Sequence, residues 1–121
     1  MKNISILGAT GSIGQNTLDL ISSDENNFKV VGLTGSNNID LLAENAIKFK
    51  AEVVATANES KFHDLKEMLS GHKIEVCAGK NGLLEVASRQ ADWVMSAIVG
   101  SAGLLPGLKA LDAGANLALA N

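Results

Sequence analysis

Ile-Ser-Ile-Leu-Gly-Ala-Thr-Gly-Ser-Ile-Gly, residues 4–14, runs a short apolar strand straight into Gly8, Gly11 and Gly14. Glycines at this spacing let a backbone turn tightly and come within hydrogen-bond distance of a phosphate. The amides of a helix starting near Ser12 would then point at the anion, with the positive end of the helix dipole behind them. G-x-x-G-x-x-G is a variant of the commoner dinucleotide fingerprint G-x-G-x-x-G. Its context strengthens it, because Ile4, Ile6 and Leu7 precede it and Ile13, Thr17, Leu18 and Ile21 follow at helical spacing. A strand-to-helix turn that binds nothing is the plainer alternative. Gly11 is expected where backbone approaches the pyrophosphate, so that a side chain there fails through bulk or a forbidden φ.

Working outward, strand-like and helix-like segments alternate along the whole chain. Strands are expected at 4–7, 28–34, 52–56, 74–77, 93–99 and 117–120, and helices at 12–22, from 39, from 58, at 81–89 and at 104–113. Ile39, Leu42, Ala46 and Phe49 recur every three or four residues, and Phe62, Leu65 and Leu69 form the inner face of the third helix, capped by Asn58 and stopped by Gly71. Pro106 is acceptable in the first turn of the last helix, and Gly114 is its stop. Strands joined by helices must be parallel, and right-handed crossovers place helices on both faces of the sheet. The expected fold is therefore α/β, a doubly wound parallel six-stranded sheet of Rossmann-like type. The order 3-2-1-4-5-6 would put a ligand across the carboxyl ends of strands one and four.

Bulk properties narrow the function. A chain of 121 residues, 46% hydrophobic and 19% charged, has the size and composition of one globular domain. Phe28, Phe49, Phe62 and Trp93 are its only aromatic residues and its formal net charge is −3, which disfavours a stacking platform or a basic face for nucleic acid. Cys77 is the only cysteine, so there is neither a disulfide framework nor a cysteine-based zinc site. No apolar run is long enough to cross a membrane as a helix, and Met1-Lys2-Asn3 leads directly into a strand rather than a signal peptide. A cytoplasmic protein without membrane or nucleic-acid partners is the expectation. The halt at Asn121, directly after the sixth strand, suggests that residues 1–121 are one domain of a longer enzyme.

Two further stretches bear on chemistry. In NAD enzymes an acidic residue at the end of the second strand accepts hydrogen bonds from the adenosine ribose. Here that place reads Thr34-Gly35-Ser36-Asn37-Asn38, with no acid before Asp40. A carboxylate would repel the 2′-phosphate of NADP, so its absence leans toward NADP, with hydroxyl and amide donors in place of a charge. Asn38 could instead simply cap the second helix. At the end of the fifth strand, Ser96-Ala97-Ile98-Val99-Gly100-Ser101-Ala102-Gly103 would let a flat ring or a pyrophosphate lie against the backbone, or would serve only close packing. His63 and His72 read as solvated surface residues, Cys77 as an inert thiol, and Lys48, Lys50, Lys61 and Lys66 as a solvated face.

With these residues in place, the chain resembles the N-terminal NADPH-binding domain of the 1-deoxy-D-xylulose 5-phosphate reductoisomerases over nearly its whole length. The resemblance rests on Gly-Ala-Thr-Gly-Ser-Ile-Gly (8–14), Leu-Thr-x-x-x-Asn (33–38), Ala-Ile-Val-Gly-Ser-Ala-Gly-Leu-Leu-Pro (97–106) and Leu-Ala-Asn (119–121). It implies that Thr10, Gly11, Ser12 and Ile13 meet the cofactor pyrophosphate, beside Gly8 and Gly14, which the glycine turn itself already places among the cofactor-binding residues, and that Ser36, Asn37 and Asn38 meet the adenosine 2′-phosphate. It further implies that Ala97, Ile98, Val99 and Gly100 border the nicotinamide and that Asn121 approaches the nicotinamide ribose. No catalytic or metal-ligating residue is assigned within these residues. The family usually has Lys or Arg at position 37 and often Gly at 36, so Asn37 and Ser36 are expected to weaken the grip on the 2′-phosphate. Gly107, where the family commonly has Thr, is expected to matter little.

The resemblance also implies an oxidoreductase of isoprenoid precursor synthesis. The full-length enzyme would rearrange a metal-bound sugar phosphate, 1-deoxy-D-xylulose 5-phosphate, and reduce it with NADPH to 2-C-methyl-D-erythritol 4-phosphate. The metal, Mg²⁺ or Mn²⁺, would be held only in that full-length enzyme, for which a homodimer is the assembly considered. Two alternatives are the cofactor domain of another G-A-T-G reductase of the semialdehyde dehydrogenase type and a non-catalytic dinucleotide sensor.

Overall fold

A computed structural model describes residues 1–97 and 114–119, with the backbone alone for 118 and 119. The elements in chain order are β1 (Lys2–Leu7), α1 (Ser12–Ser22), β2 (Phe28–Gly35), α2 (Ile39–Phe49), β3 (Val53–Thr56), a 3₁₀ turn (Glu59–Lys61), α3 (Phe62–Met68), β4 (Glu75–Ala78), α4 (Gly79–Ser88), β5 (Trp93–Ser96) and β6 (Asn116–Leu119). The strands form one all-parallel sheet. The expected helix over 104–113, with Pro106, lies outside the described residues.

The strand order is β4-β3-β2-β1-β5-β6, which corrects the expected 3-2-1-4-5-6. β4 stays beside β3 as an edge strand, and its residues show why, for Glu75 is exposed and Val76, Cys77 and Ala78 are only half-buried. β5 carries the fully buried Val94 and takes the central place beside β1, pairing Ile4 with Trp93 and Leu7 with Ser96. The topological switch point, where ligands bind in sheets of this kind, is thus between β1 and β5.

Helices cover both faces, as expected. On one face Ile4, Ile6, Val30, Leu33 and Val54 of the sheet pack with Leu18 and Ile21 of α1, Leu42, Ala43 and Ala46 of α2, and Leu65 of α3. On the other, Leu7, Val53, Ala55 and Val94 pack with Val86 and Ala87 of α4. The strands are apolar on both sides because both sides are covered. A register shift between Ile4 and Ser5 leaves Val31 as an extra residue of β2, since Ile4 pairs with Val30 and Ser5 with Gly32. That bulge reverses the alternation, so Val30 and Leu33 share the α1–α2 face while Gly32 is turned toward Val86 of α4.

The remaining differences are local. Asn58 caps a 3₁₀ turn that leads into α3, and Phe62 is half-buried where a core position was expected. Leu65 and Leu69 are buried and Gly71 adopts φ +86°, both as expected. β4 and α4 begin within two residues of their predicted starts, β5 ends at Ser96 and β6 begins at Asn116. Because Leu33 is fully buried where β2 meets α1 and α2, Leu33→Ala should cost about 2–5 kcal/mol. Urea denaturation measures it, and a loss below about 1 kcal/mol would contradict this layer's role as core.

Candidate functional site

Four chain segments meet at the carboxyl ends of the central strands. The first is the glycine turn. Gly8 leaves β1 at φ +82°, a conformation that L side chains rarely adopt. Its N–H donates to Thr34 Oγ1 at 2.8 Å, and the Ala9 N–H donates to the Thr34 carbonyl at 2.7 Å. The Gln15 side chain closes the loop from the other side, its Nε2 donating to the Ala9 carbonyl at 2.8 Å. Gly14 permits this approach, because a Cβ there would lie 2.6 Å from both Cα and O of Ala9.

Gly11 is different, and it corrects the expectation of a forbidden φ. As N-cap of α1 it has φ −80° and ψ 173°, extended backbone open to any residue, and a Cβ would sit an unstrained 3.7 Å from the Gly8 carbonyl. Among the described residues nothing demands a glycine there. Among the described residues no side chain caps α1, and its first turn holds no acidic residue. The amides of exposed Ser12, half-buried Ile13 and buried Gly14 therefore open the positive end of the helix to an incoming anion.

The second segment follows β2. Thr10 lies over its tip, where a Cβ on Gly35 would meet Thr10 Cγ2 at 3.1 Å and Oγ1 at 3.2 Å. Ser36, Asn37 and Asn38 follow, all exposed. Asn38 does cap α2, with Oδ1 accepting from the Leu41 N–H at 3.3 Å. Its oxygen is therefore engaged in the helix, while Ser36 and Asn37 remain the outward polar residues. The third segment continues β5, where the Ala97 N–H donates to the Leu7 carbonyl at 2.8 Å and so holds half-buried Ala97 next to the glycine turn. Ile98, Val99, Gly100 and Asn121 lie outside the described residues.

The fourth segment, at the end of β3, was not singled out from the sequence as part of a site. Thr56 Oγ1 donates to the Ser36 carbonyl at 2.7 Å and accepts from the Asn58 N–H at 3.2 Å, and Asn58 Nδ2 donates to Asn37 Oδ1 at 2.9 Å. Thr34 was missed in the same way. The available signal was a threonine near the end of each otherwise apolar strand, a polar group that must find a partner once buried. Elsewhere, burial, reinforced by Glu75 and Glu85, pushes the Cys77 thiol up, which keeps it protonated and unreactive near neutral pH. Among the described residues no three His, Cys, Asp or Glu side chains gather where they could hold a metal ion.

A doubly wound parallel sheet whose glycine turn and open helix N-terminus sit at the switch point defines a dinucleotide-binding type of α/β domain. The particular family follows from comparison. The chain belongs to the 1-deoxy-D-xylulose 5-phosphate reductoisomerase family, whose sequence model matches residues 4–121. It is 54% identical to the 1-deoxy-D-xylulose 5-phosphate reductoisomerase of Ruegeria pomeroyi and 52% identical to that of Ruegeria sp. (strain TM1040), in each case over all of this chain and 31% of the relative. Among solved structures, the Zymomonas mobilis reductoisomerase in complex with NADPH matches with a TM-score of 0.96 at 43% identity, covering 99% of this chain and 32% of that one. A reductoisomerase in complex with NADPH, fosmidomycin and magnesium matches with a TM-score of 0.94 at 36% identity, over 100% of this chain and 30% of that one. The chain thus spans about a third of the length of the relatives it matches.

The two glycines should separate experimentally. Gly14→Ala forces a methyl into the Ala9 backbone and should destabilise the fold by about 1–3 kcal/mol. Gly11→Ala, with open space and an ordinary φ, should cost less than about 1 kcal/mol. Chemical denaturation of both variants reads the difference, and equal costs would contradict the packing described for Gly14.

Proposed function

We propose that residues 1–121 form the NADPH-binding domain of a 1-deoxy-D-xylulose 5-phosphate reductoisomerase. One observation carries the reading. The open N-terminus of α1 lies between Ala97 at the end of β5 and Ser36–Asn38 at the end of β2, a strip of strand ends suited to an extended dinucleotide. NADPH in the solved relatives supports it. On this reading the amides of Ser12, Ile13 and Gly14 take the pyrophosphate oxygens, and Gly11 stays bare so that the anion can come close. Thr10 supports the chain between the two phosphate positions. Ser36 and Asn37 meet the adenosine 2′-phosphate with neutral donors. Ala97 and the following residues border the nicotinamide, and Asn121 its ribose.

When bound, NADPH supplies a hydride. In the full-length enzyme that hydride serves to reduce the aldehyde formed when the carbon skeleton of 1-deoxy-D-xylulose 5-phosphate rearranges, giving 2-C-methyl-D-erythritol 4-phosphate for isoprenoid precursors. What this chain contributes is the binding and orientation of the carrier. The divalent metal is assigned to residues outside the chain, in line with the magnesium found in solved relatives.

Two variants test the reading by fluorescence titration with each cofactor. Gly11→Val should keep the fold, since its φ is ordinary, and lose NADPH binding. Unchanged affinity in the folded variant would remove the turn from the site. Asn37→Arg gives the 2′-phosphate a charged planar partner, and should tighten NADPH binding about tenfold at low salt. NADH, which lacks that phosphate, should be indifferent to the change. The gain should shrink as salt rises, because Asn37 is exposed. Equal effects on both cofactors would place the adenosine end elsewhere.

A further inference from the structure

Asn37 offers an amide and no charge, and an amide serves an anion only if its nitrogen, not its oxygen, faces outward. Three hydrogen bonds decide which does. The Ser60 backbone N–H reaches the Asn58 side chain at 3.1 Å, and an N–H can only donate, so the atom it meets is Oδ1. The Ser60 hydroxyl donates to the same oxygen at 2.6 Å. The other end of Asn58 must then be Nδ2, a donor, and it lies 2.9 Å from Asn37. The Asn37 atom facing it must accept, so it is Oδ1. Asn37 is left with its NH₂ group turned away from Asn58, and this group meets no acceptor among the described residues.

Resting on the placement of the adenosine 2′-phosphate at Ser36–Asn38, we propose that Asn58, from the end of β3, is a positioning residue for cofactor selectivity. Anchored by Ser60, it fixes the Asn37 amide so that donors alone face the phosphate. Asn58 touches no cofactor atom in this scheme and acts through Asn37. The Thr56 hydroxyl, joined to both the Ser36 carbonyl and the Asn58 N–H, holds the two loops at the separation the relay needs.

The test is a double-mutant cycle in the 121-residue chain, read as the ratio of NADPH to NADH affinity, with thermal unfolding as the check on folding. Asn58→Ala removes the relay and should weaken NADPH about three- to tenfold while leaving NADH unmoved. Asn58→Asp keeps the acceptor that caps the 3₁₀ turn but offers Asn37 no donor. It should lower NADPH affinity at least as far as Asn58→Ala does. In an Asn37→Ala background, Asn58→Ala should no longer change the ratio. Two results overturn the proposal: an Asn58→Asp protein with unaltered selectivity, which reduces Asn58 to a cap, or an Asn58→Ala effect undiminished in the Asn37→Ala background. Should Asn37→Ala itself leave the ratio unaltered, the placement of the 2′-phosphate falls together with the relay. Loss of selectivity in Asn37→Ala without any in Asn58→Ala defeats the relay alone.

Discussion

Two hydrogen bonds to a single residue, Thr34, hold the glycine turn where the rest of the site can be built around it. The hydroxyl accepts from Gly8 and the carbonyl accepts from Ala9, so a chain that has just left β1 is tied across to β2 before α1 begins. Without that tie, the left-handed step at Gly8 would leave two N–H groups of the turn without partners in a buried setting. The tie also sets where α1 starts, and with it the direction in which its open amides point. Gly14 then lets the helix settle against Ala9, and Thr10 is brought over Gly35. The bulge in β2 belongs to the same arrangement, because its extra residue sets which way every later residue of β2 faces.

The candidate site is a strip, read across the sheet from Ala97 through the glycine turn and Ser36–Asn38 to Asn58. It follows the carboxyl ends of β5, β1, β2 and β3, the four neighbouring strands of the parallel sheet. Parallel strands bring helix N-termini to that edge, which is why anions gather there. The strip relies on dipoles and neutral donors and holds no charged side chain at Ser36, Asn37 or Asn38. Neutral donors depend on orientation more than charges do, since an amide that turns over presents an acceptor instead. A network that fixes amide orientation is therefore worth more here than it would be beside an arginine.

Much of this was legible in the sequence for a local physical reason. Helical periodicity and capping residues are properties of neighbours in the chain, so α1 and α2 begin at Ser12 and Ile39, where their patterns start. The glycine turn was legible too, because its spacing reflects one continuous stretch of backbone. Family membership follows from the same short motifs, now supported along residues 4–121. The strand order was not local. The apolar character of Trp93–Met95 against the polar start of β4 at Glu75 was a clue that β5 belongs in the middle, but order depends on which crossover buries more surface.

The sequence by itself determined the described helices and strands to within a few residues, the α/β alternation and the glycine-rich turn, because hydrophobic spacing and backbone freedom act over a few residues. Only the tertiary structure decided that β4 lies at the edge and that Thr34 clamps the turn from 26 positions away. It alone showed that Gly11 is under no backbone strain while Gly14 is sterically required. It also joined Asn58 to Asn37 across 21 positions of chain. Such pairings depend on parallel register, and register is settled by the packing of both faces at once, which no stretch of neighbouring residues encodes.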